Sequence, residues 1–314
     1  MPHPVELHGH RGARGLRPEN TLPGLAHAME IGVDALEFDV AMTADRQIVL
    51  THDLTVSAVT SADTAPAVPG DPFFPFVGRP IAELTLAQLR TLECGVRLPR
   101  GEDDVFAATQ IPVPGTRMPT LGAALGLVAA YGADRLQLNV EIKSDPTRPE
   151  LTADPWEITE LVTAELTKHR RMKNVALLSF DWRILLAASR IAPAVPRYAN
   201  VEARTLAPGT RWLAGLDPDR FNGNVALAAR SIGANVLSVD HSLITEELAA
   251  SADGQALPVV AWTVNDPGDA KRLIDLGVRA LVTDYPDRMH EVLTERGLPV
   301  PAPIRLQVGG GRRS

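Results

Sequence analysis

The sequence predicts an α/β protein, specifically a (β/α)8 TIM barrel with a small insertion after its second strand. Short apolar runs alternate with amphipathic stretches along the 314 residues, which is the pattern of repeated β/α units. Eight such units in a chain of this length suit a closed barrel. Several helical stretches end at a glycine just before the next strand, as in Ile31-Gly32-Val33. An open doubly wound sheet is the alternative, because counting strands does not prove closure.

The strand predictions follow the short apolar runs in chain order. They are Glu6–His10, Ala35–Val40, Arg135–Ile142, Asn174–Ser179, Arg197–Val201, Asn235–Val239, Val259–Val264 and Ala280–Thr283. A further short run, Ile48–His52, comes after the polar residues 43–47 and indicates a hairpin extension of the second strand.

The helix predictions lie between these strands, where apolar residues recur with helical spacing. They are Leu22–Ile31, Leu121–Tyr131, Pro155–Lys168, Trp182–Ile191, Phe221–Ser231, Ile244–Ser251, Pro267–Leu276 and Pro286–Arg296.

One segment, residues 54–117, does not follow the repeat. It is rich in Pro, Thr, Ala and Asp and contains one short helical piece, Thr85–Leu92. We interpret it as an insertion subdomain within a single domain that spans residues 1–314, and expect it to form a lid over the barrel mouth. Its aromatic cluster, Phe73-Phe74-Pro75-Phe76, is expected to pack inward. We expect the glycine- and arginine-containing tail, residues 305–314, to be disordered.

The composition limits the possible partners. A net charge of −7 argues against a nucleic-acid-binding protein, which would usually carry a basic face. Cys94 is the only cysteine, so no intrachain disulfide can form, and a buried apolar role suits it best. No leader pattern and no membrane-length apolar stretch are visible, so we expect a cytoplasmic protein without stable membrane association. The oligomeric state is not readable from the sequence.

Three carboxylates interrupt apolar strands. Glu37 and Asp39 are two residues apart in Leu36-Glu37-Phe38-Asp39-Val40, so an extended strand points both to one face. Glu141 interrupts the third predicted strand in the same way. Burying like charges is costly unless a cation compensates them, so the three acids are candidate ligands of a hard divalent cation. Exposed acids on an edge strand remain the alternative, although both faces of a barrel strand are covered.

The other polar candidates fall where predicted strands end, which is where barrels place active sites. His10 and Arg11 follow the first strand in a glycine-containing turn, and Arg11 offers a planar fork for a phosphate. His52 ends the hairpin strand, and an imidazole there can transfer protons near neutral pH. Each has an ordinary structural alternative, such as a solvated arginine or a strand-end histidine beside a turn. Lys143 follows the third strand, and a surface lysine at a strand end is its ordinary alternative.

Two later strand ends carry further polar or aromatic residues. Trp262 ends the seventh strand, and barrel-top packing is its ordinary role. Asp284 follows the eighth strand, directly before Tyr285-Pro286, where it would cap a helix.

Together these segments resemble the glycerophosphodiester phosphodiesterase family, in order and over nearly the whole chain. The residues that carry the resemblance are His10-Arg11-Gly12, Pro18-Glu19-Asn20-Thr21, Glu37-Phe38-Asp39-Val40, His52-Asp53, Glu141-Ile142-Lys143, Trp262-Thr263-Val264-Asn265 and Thr283-Asp284-Tyr285-Pro286. Val77–Ile81, Leu84–Leu86 and Pro119–Leu121 are similar to that family's small inserted subdomain. The resemblance implies a TIM barrel, a divalent cation (Ca²⁺ or Mg²⁺, with Mn²⁺ possible) and hydrolysis of glycerophosphodiesters to glycerol 3-phosphate and an alcohol, in lipid and glycerol metabolism.

The resemblance also implies a role for each matching residue. His10 and His52 would be the acid and base, in an order that stays open. Glu37, Asp39 and Glu141 would hold the metal, and Arg11 and Lys143 would bind the phosphate. Glu19 would orient the first loop without contacting the substrate, and Trp262 would line the glycerol side of the pocket. The substrate would be a small glycerophosphodiester.

The sequence departs from the family after His52-Asp53, where an Arg-Thr pair is common and this chain has Leu54-Thr55. The proline-rich stretch 63–76 is also individual, so the preferred head group is open. Two competing functions remain open besides hydrolysis of glycerophosphodiesters. A phospholipase of the phosphatidylinositol-specific or sphingomyelinase D type would share the barrel, and residues 73–76 are the one feature in its favour. A catalytically silent binding barrel would require the loss of a key residue, and none is missing.

Overall fold

The computed structural model describes residues 5–99, 101 and 104–306, and these form a closed parallel β-barrel surrounded by helices. The first strand pairs in parallel with both the second and the last strand, with Gly9 beside Leu36 on one side and beside Thr283 on the other. This double pairing closes the sheet. The predicted TIM barrel is confirmed, and the open doubly wound alternative is wrong.

The strands carry the bounds β1 (Glu6–Gly9), β2 (Ala35–Met42), β3 (Ile48–Leu50), β4 (Gln137–Ile142), β5 (Val175–Ser179), β6 (Arg197–Val201), β7 (Val236–Asp240), β8 (Val259–Trp262) and β9 (Ala280–Thr283). All pair in parallel except β3, which runs antiparallel to the end of β2 as the predicted hairpin. The register places Asp39 of β2 directly beside Glu141 of β4.

The helices carry the bounds α1 (Leu22–Ile31), α2 (Leu86–Leu89), α3 (Leu121–Ala130), α4 (Pro155–Lys168), α5 (Trp182–Ile191), α6 (Val225–Ser231), α7 (Glu246–Gly254), α8 (Pro267–Asp275) and α9 (Pro286–Glu295). Two helices begin later than the apolar spacing predicts. Short 3₁₀ turns come first, and the side chains of Asn224 and Thr245 then cap α6 and α7 by accepting backbone N–H groups.

The apolar core lies between the strands and the helices, in two clusters that cover the two halves of the barrel. A smaller cluster inside the barrel comprises Ala176, Leu178, Tyr198, Val236, Val260, Ala280 and Val282. These residues come from β5 to β9, so the interior beside β1, β2 and β4 is left to polar side chains. The strands therefore hold the polar groups on a rigid scaffold.

The described residues of the segment 54–117 pack beside the β2–β3 hairpin. Ala41 and Val49 of the hairpin share an apolar cluster with Phe76, which is fully buried. Phe74 contacts the same cluster, whereas Phe73 stays 38% exposed, so the expected inward packing holds for two of the three rings. The segment lies at the carboxyl end of the strands; its assignment as an inserted subdomain and its role as a lid stay predictions.

Among the described residues, no helix is long and apolar enough to cross a membrane. The cytoplasmic location stays a prediction. Residues 307–314 of the predicted disordered tail lie outside the described part of the chain, and residues 305 and 306 have no regular secondary structure.

Candidate active site

Three buried carboxylates meet at the carboxyl end of β2 and β4. Glu37, Asp39 and Glu141 are 4%, 1% and 7% exposed, and one oxygen from each lies within 4.8 Å of the others. Their strands place them there, because the i, i+2 spacing turns Glu37 and Asp39 to the same side and the register brings Glu141 beside Asp39. The expected convergence is thus present.

Two positively charged side chains, those of Lys143 and Arg11, contact this carboxylate cluster. Lys143 Nζ is 2.8 Å from Asp39 Oδ1 and also donates to Glu141. Arg11 Nε is 3.1 Å from Asp39 Oδ2, and the Arg11 backbone N–H donates to Glu37 Oε2 at 3.0 Å. The side chains of Arg11 and Lys143 are only 10% and 11% exposed, so water screens these pairs little.

The three acids differ in their ease of ionisation. Burial raises the pKa of Glu37 well above its usual value, and the negative charges of Asp39 and Glu141 raise it further. Burial also raises the pKa of Glu141, against the opposing effect of Lys143. Burial opposes ionisation of Asp39 as well, but Lys143 and Arg11 outweigh it and hold the pKa of Asp39 below its usual range. The positive charge from Arg11 and Lys143 therefore satisfies Asp39 and leaves Glu37 undercompensated.

A hard divalent cation fits this donor set. Calcium–oxygen bonds are about 2.3–2.6 Å long, so two oxygens on one ion are at most about 5 Å apart. The observed 4.8 Å limit satisfies that condition. The donors are all carboxylate oxygens, which favours Ca²⁺, Mg²⁺ or Mn²⁺ over the softer metals that prefer sulfur. A bound cation would supply the charge that Glu37 lacks.

His10 is held by a carboxylate on its inner side. Its Nδ1 donates to Asp284 Oδ1 at 2.7 Å, and its Nε2 lies 3.9 Å from Glu37 Oε2. Asp284 is itself fixed by Asn265, whose Nδ2 donates to its second oxygen at 2.7 Å. Burial lowers the pKa of His10 despite the Asp284 charge. The Asp284 bond thus fixes the orientation of the ring, and burial disfavours its protonated form.

His52 is held in a similar way at the end of the hairpin. Its Nδ1 donates to Asp53 Oδ1 at 2.8 Å, and its side chain is 39% exposed. Partial burial of the ring, followed by the charges of Lys143 and Arg11, lowers the pKa of His52 to about 4. Both histidines therefore donate Nδ1–H to an aspartate, which leaves Nε2 as the free proton acceptor.

A cavity of about 570 Å³ contains most of the predicted site residues. His10, Arg11, Glu37, His52, Glu141, Lys143 and Trp262 line it. Two predicted residues, Asp39 and Glu19, do not line it. The Asp39 side chain is 1% exposed and is bonded by Lys143, and the Glu19 side chain is 10% exposed. Glu19 Oε1 accepts from Arg11 NH1 at 2.6 Å, so it contacts the first loop, and its role in orienting that loop stays a prediction.

Trp262 is the last residue of β8, which lies opposite β4, the strand of Glu141, in the closed order of the barrel. Its ring meets Phe180 edge to face, with centroids 5.3 Å apart. Its Nε1 is buried and has no partner among the described residues. A bound hydroxyl group could accept from it.

The structure adds site residues whose roles the sequence did not reveal. Asp284 was expected to cap a helix, but that is wrong: Tyr285 is the N-cap residue of α9, and Asp284 bonds His10 instead. Closure of the predicted barrel could have indicated this contact, because it places β9, which precedes Asp284, beside β1, which precedes His10. Asn20 donates to Asp39 at 2.8 Å, and Asn200 of β6 donates to Glu141 at 3.1 Å. Amides that bond a carboxylate from a distant strand leave no local sequence pattern.

Comparison with known proteins identifies related chains. The model of the glycerophosphoryl diester phosphodiesterase family matches residues 10–288. A glycerophosphodiester phosphodiesterase of Caldanaerobacter subterraneus is 25% identical over 92% of this chain and 97% of its own. A glycerophosphodiester phosphodiesterase of Bacillus subtilis is also 25% identical, over 90% of this chain and 84% of its own.

Solved structures show the same fold. A Silicibacter pomeroyi structure, classed provisionally as a glycerophosphoryl diester phosphodiesterase, is 34% identical and superimposes with a TM-score of 0.82 over 95% of this chain and 96% of its own. An Oleispira antarctica phosphodiesterase, solved with its product sn-glycerol-3-phosphate, is 24% identical with a TM-score of 0.67, over 93% and 97% of the two chains.

Proposed function

Because this chain belongs to the glycerophosphoryl diester phosphodiesterase family, we propose that it hydrolyses glycerophosphodiesters to glycerol 3-phosphate and an alcohol, with one divalent cation and two histidines. The observation that carries this proposal is the cluster of Glu37, Asp39 and Glu141 in a cavity that also contains His10 and His52. The product complex of the Oleispira antarctica protein supports the same product class here.

The cation would be held by Glu37, Asp39 and Glu141, with Ca²⁺ or Mg²⁺ as the first candidates and Mn²⁺ as the next. When bound, it would neutralise charge on the phosphoryl oxygens and make the phosphorus easier to attack. Arg11 and Lys143 add fixed positive charge at the same end of the cavity, where low dielectric strengthens it.

The two histidines would transfer the protons. Each would present Nε2 to the substrate, since Asp284 and Asp53 accept the Nδ1 protons. One imidazole would remove the proton of the nucleophile, and the other would protonate the departing alkoxide. The acid must first gain a proton, and the negative phosphodiester favours this by raising the pKa of a neighbouring histidine. If the 2-hydroxyl of glycerol is the nucleophile, a cyclic phosphate forms first and water then opens it.

The glycerol would lie against Trp262 and Phe180. Their rings form an apolar wall of the cavity, and the unpartnered Trp262 Nε1 is a donor for a glycerol hydroxyl. The phospholipase alternative loses its main support, because Phe76 is buried and Phe74 packs onto the same cluster rather than facing a membrane.

The test is a hydrolysis assay with separate metals and head groups. Purified protein with Ca²⁺, Mg²⁺ or Mn²⁺ is incubated with glycerophosphocholine, glycerophosphoethanolamine and glycerophosphoglycerol, and glycerol 3-phosphate is measured. We expect metal-dependent release of that product, and the ratio among head groups defines the preference. Hydrolysis of phosphatidylinositol or sphingomyelin vesicles without hydrolysis of these small diesters would favour the phospholipase alternative. No hydrolysis of any diester would favour a binding protein.

A further inference from the structure

We propose that Arg97, from the segment 54–117, is a positioning residue that holds Arg11 on the phosphate through Glu19. This inference rests on the proposed function of Arg11. Arg97 lies outside the barrel repeat and does not line the cavity. It acts through the carboxylate that Arg11 and Arg97 share.

Glu19 is bonded to an arginine on each of its oxygens. Its Oε1 accepts from Arg11 NH1 at 2.6 Å, and its Oε2 accepts from Arg97 NH1 at 3.2 Å. The Glu19 side chain is only 10% exposed, so water does little to screen these pairs. Since one carboxylate is fixed at both ends, its orientation and that of Arg11 depend on Arg97.

Arg97 is itself held rigidly. Its Nε is 3.2 and 3.1 Å from the two oxygens of Asp104, whose side chain is 2% exposed. Its guanidinium also lies over the Phe106 ring, 4.9 Å from the centroid. Two carboxylates and an aromatic face thus define one position for the guanidinium.

The same stretch binds the first active-site loop directly. We call residues 104–111 the strap. Thr109 donates its hydroxyl to the Gly15 carbonyl at 2.7 Å, and the Ile111 backbone N–H donates to the Leu16 carbonyl at 3.0 Å. The strap therefore contacts both the loop that carries Arg11 and the Arg97 side chain, which positions Arg11 through Glu19.

Glu19 matters most when the cation site is filled. Arg11 has two side-chain carboxylate partners, Asp39 at 3.1 Å and Glu19. A cation on Asp39 would draw on the same carboxylate and weaken its hold on Arg11. Glu19 is then the main anchor of the guanidinium, and Arg97 determines where that anchor lies.

The test compares R97A with R97K and a matched control. Arg79 belongs to the same segment, lies 5.3 Å from the Phe73 ring centroid and bonds the Pro75 carbonyl, but contacts no site residue. With Ca²⁺-loaded protein and glycerophosphocholine, we expect R97A to lower kcat/KM about tenfold, mainly through kcat, as for other residues that support a binding group from behind. R79A should stay within about twofold of the unaltered protein on the same scale. R97K keeps one charge on Glu19 and should recover part of the loss.

The coupling to Glu19 separates positioning from simple stabilisation. In an E19Q background, both R97A and R97K should change kcat/KM less than about twofold, because the shared carboxylate is already gone. If R97A matches R79A, or loses the same factor with and without E19Q, the proposal is wrong. R97K supplies the same comparison if R97A does not fold.

Failure of the proposed function would be distinguishable. If no diester is hydrolysed, binding of inorganic phosphate is measured by calorimetry for the unaltered protein, R97A and R79A. Weaker binding in R97A alone would support the positioning role without hydrolysis, and equal binding in all three would overturn it.

Discussion

The two ends of the barrel interior handle buried charge in opposite ways. At the carboxyl end, Glu37 lies among like charges, and burial with those charges raises its pKa. At the amino end, Glu6 accepts from His8 at 3.2 Å and from Arg279 at 2.7 Å. The His8 bond, and then the Arg279 bond, lower the pKa of Glu6 to about 2 despite its partial burial. One end leaves a charge undercompensated, and the other pairs its charge fully.

The difference indicates which end serves binding and which serves stability. His8 completes the lower network, because its second ring nitrogen accepts from Asn139 at 3.1 Å. A fully paired network stabilises the fold but leaves no uncompensated charge for a ligand to bind. The upper cluster costs stability until a cation arrives, so it is a site where binding energy can be gained.

Removal of the cation should have the largest effect, since it returns the upper end to its undercompensated state. Chelation should abolish hydrolysis and lower the melting temperature, and added Ca²⁺ or Mg²⁺ should restore both. The measurements are metal content, activity and melting temperature on one sample. Full activity and an unchanged melting point in verified metal-free protein would show that these acids have another role.

Substitution of the histidines should affect activity without affecting the fold. H10A and H52A should each lower kcat by at least about a hundredfold, the usual contribution of general acid–base catalysis. The melting temperature should change little for H52A, whose side chain is 39% exposed. Steady-state kinetics and thermal unfolding together test this, and near-normal turnover in either variant would remove that histidine from the mechanism.

Substitution of Glu6 should lower the stability of the fold without lowering activity. E6Q should lower the free energy of unfolding by about 1 kcal/mol at pH 7, because the Arg279 and His8 pairs lose their charge. Activity should stay normal. The folded-state pKa of about 2 lies below the ordinary 4.5, so the unfolded chain takes up the proton first as the pH falls. The stabilisation is therefore present above about pH 5 and is lost towards pH 2.

Urea unfolding of the unaltered protein and E6Q at pH 7 and pH 3 checks this prediction. The difference between the two proteins should be smaller at pH 3. A difference that does not vary with pH would mean that the Glu6 pairs contribute packing rather than charge.

Substitution of Glu37 should give the smallest change in stability and the opposite sign. E37Q keeps the shape of the side chain and removes a buried like charge, so the metal-free variant should melt at or slightly above the unaltered protein. With saturating Ca²⁺, the order should reverse, because the variant has lost a ligand charge. Melting curves with chelator and with Ca²⁺ decide this. A variant less stable under both conditions would place Glu37 with Glu6 as a structural acid.

The acids and histidines of the carboxyl end were readable from the sequence, whereas the Glu6 network of the amino end was not. The periodicity of 2 in β2 identified Glu37 and Asp39 as inward acids, and the strand-end positions of His10 and His52 predicted a common site. The β/α repeat predicted eight barrel strands and most helix boundaries. Helix starts were misplaced at α6 and α7, where short 3₁₀ turns precede the capping residue and extend the apolar spacing.

The sequence by itself determined the repeat, the catalytic end of the barrel and the residue types at the site, because local spacing fixes which side of a strand a side chain occupies. The tertiary structure decided which charged and polar groups pair with one another. Asp284 bonds His10 across 274 positions of sequence, and Arg97 bonds Glu19 across 78. Such pairs arise when the sheet closes and when residues 54–117 pack beside β2. Their energies depend on burial and distance, and neither quantity is encoded in any local pattern of residues.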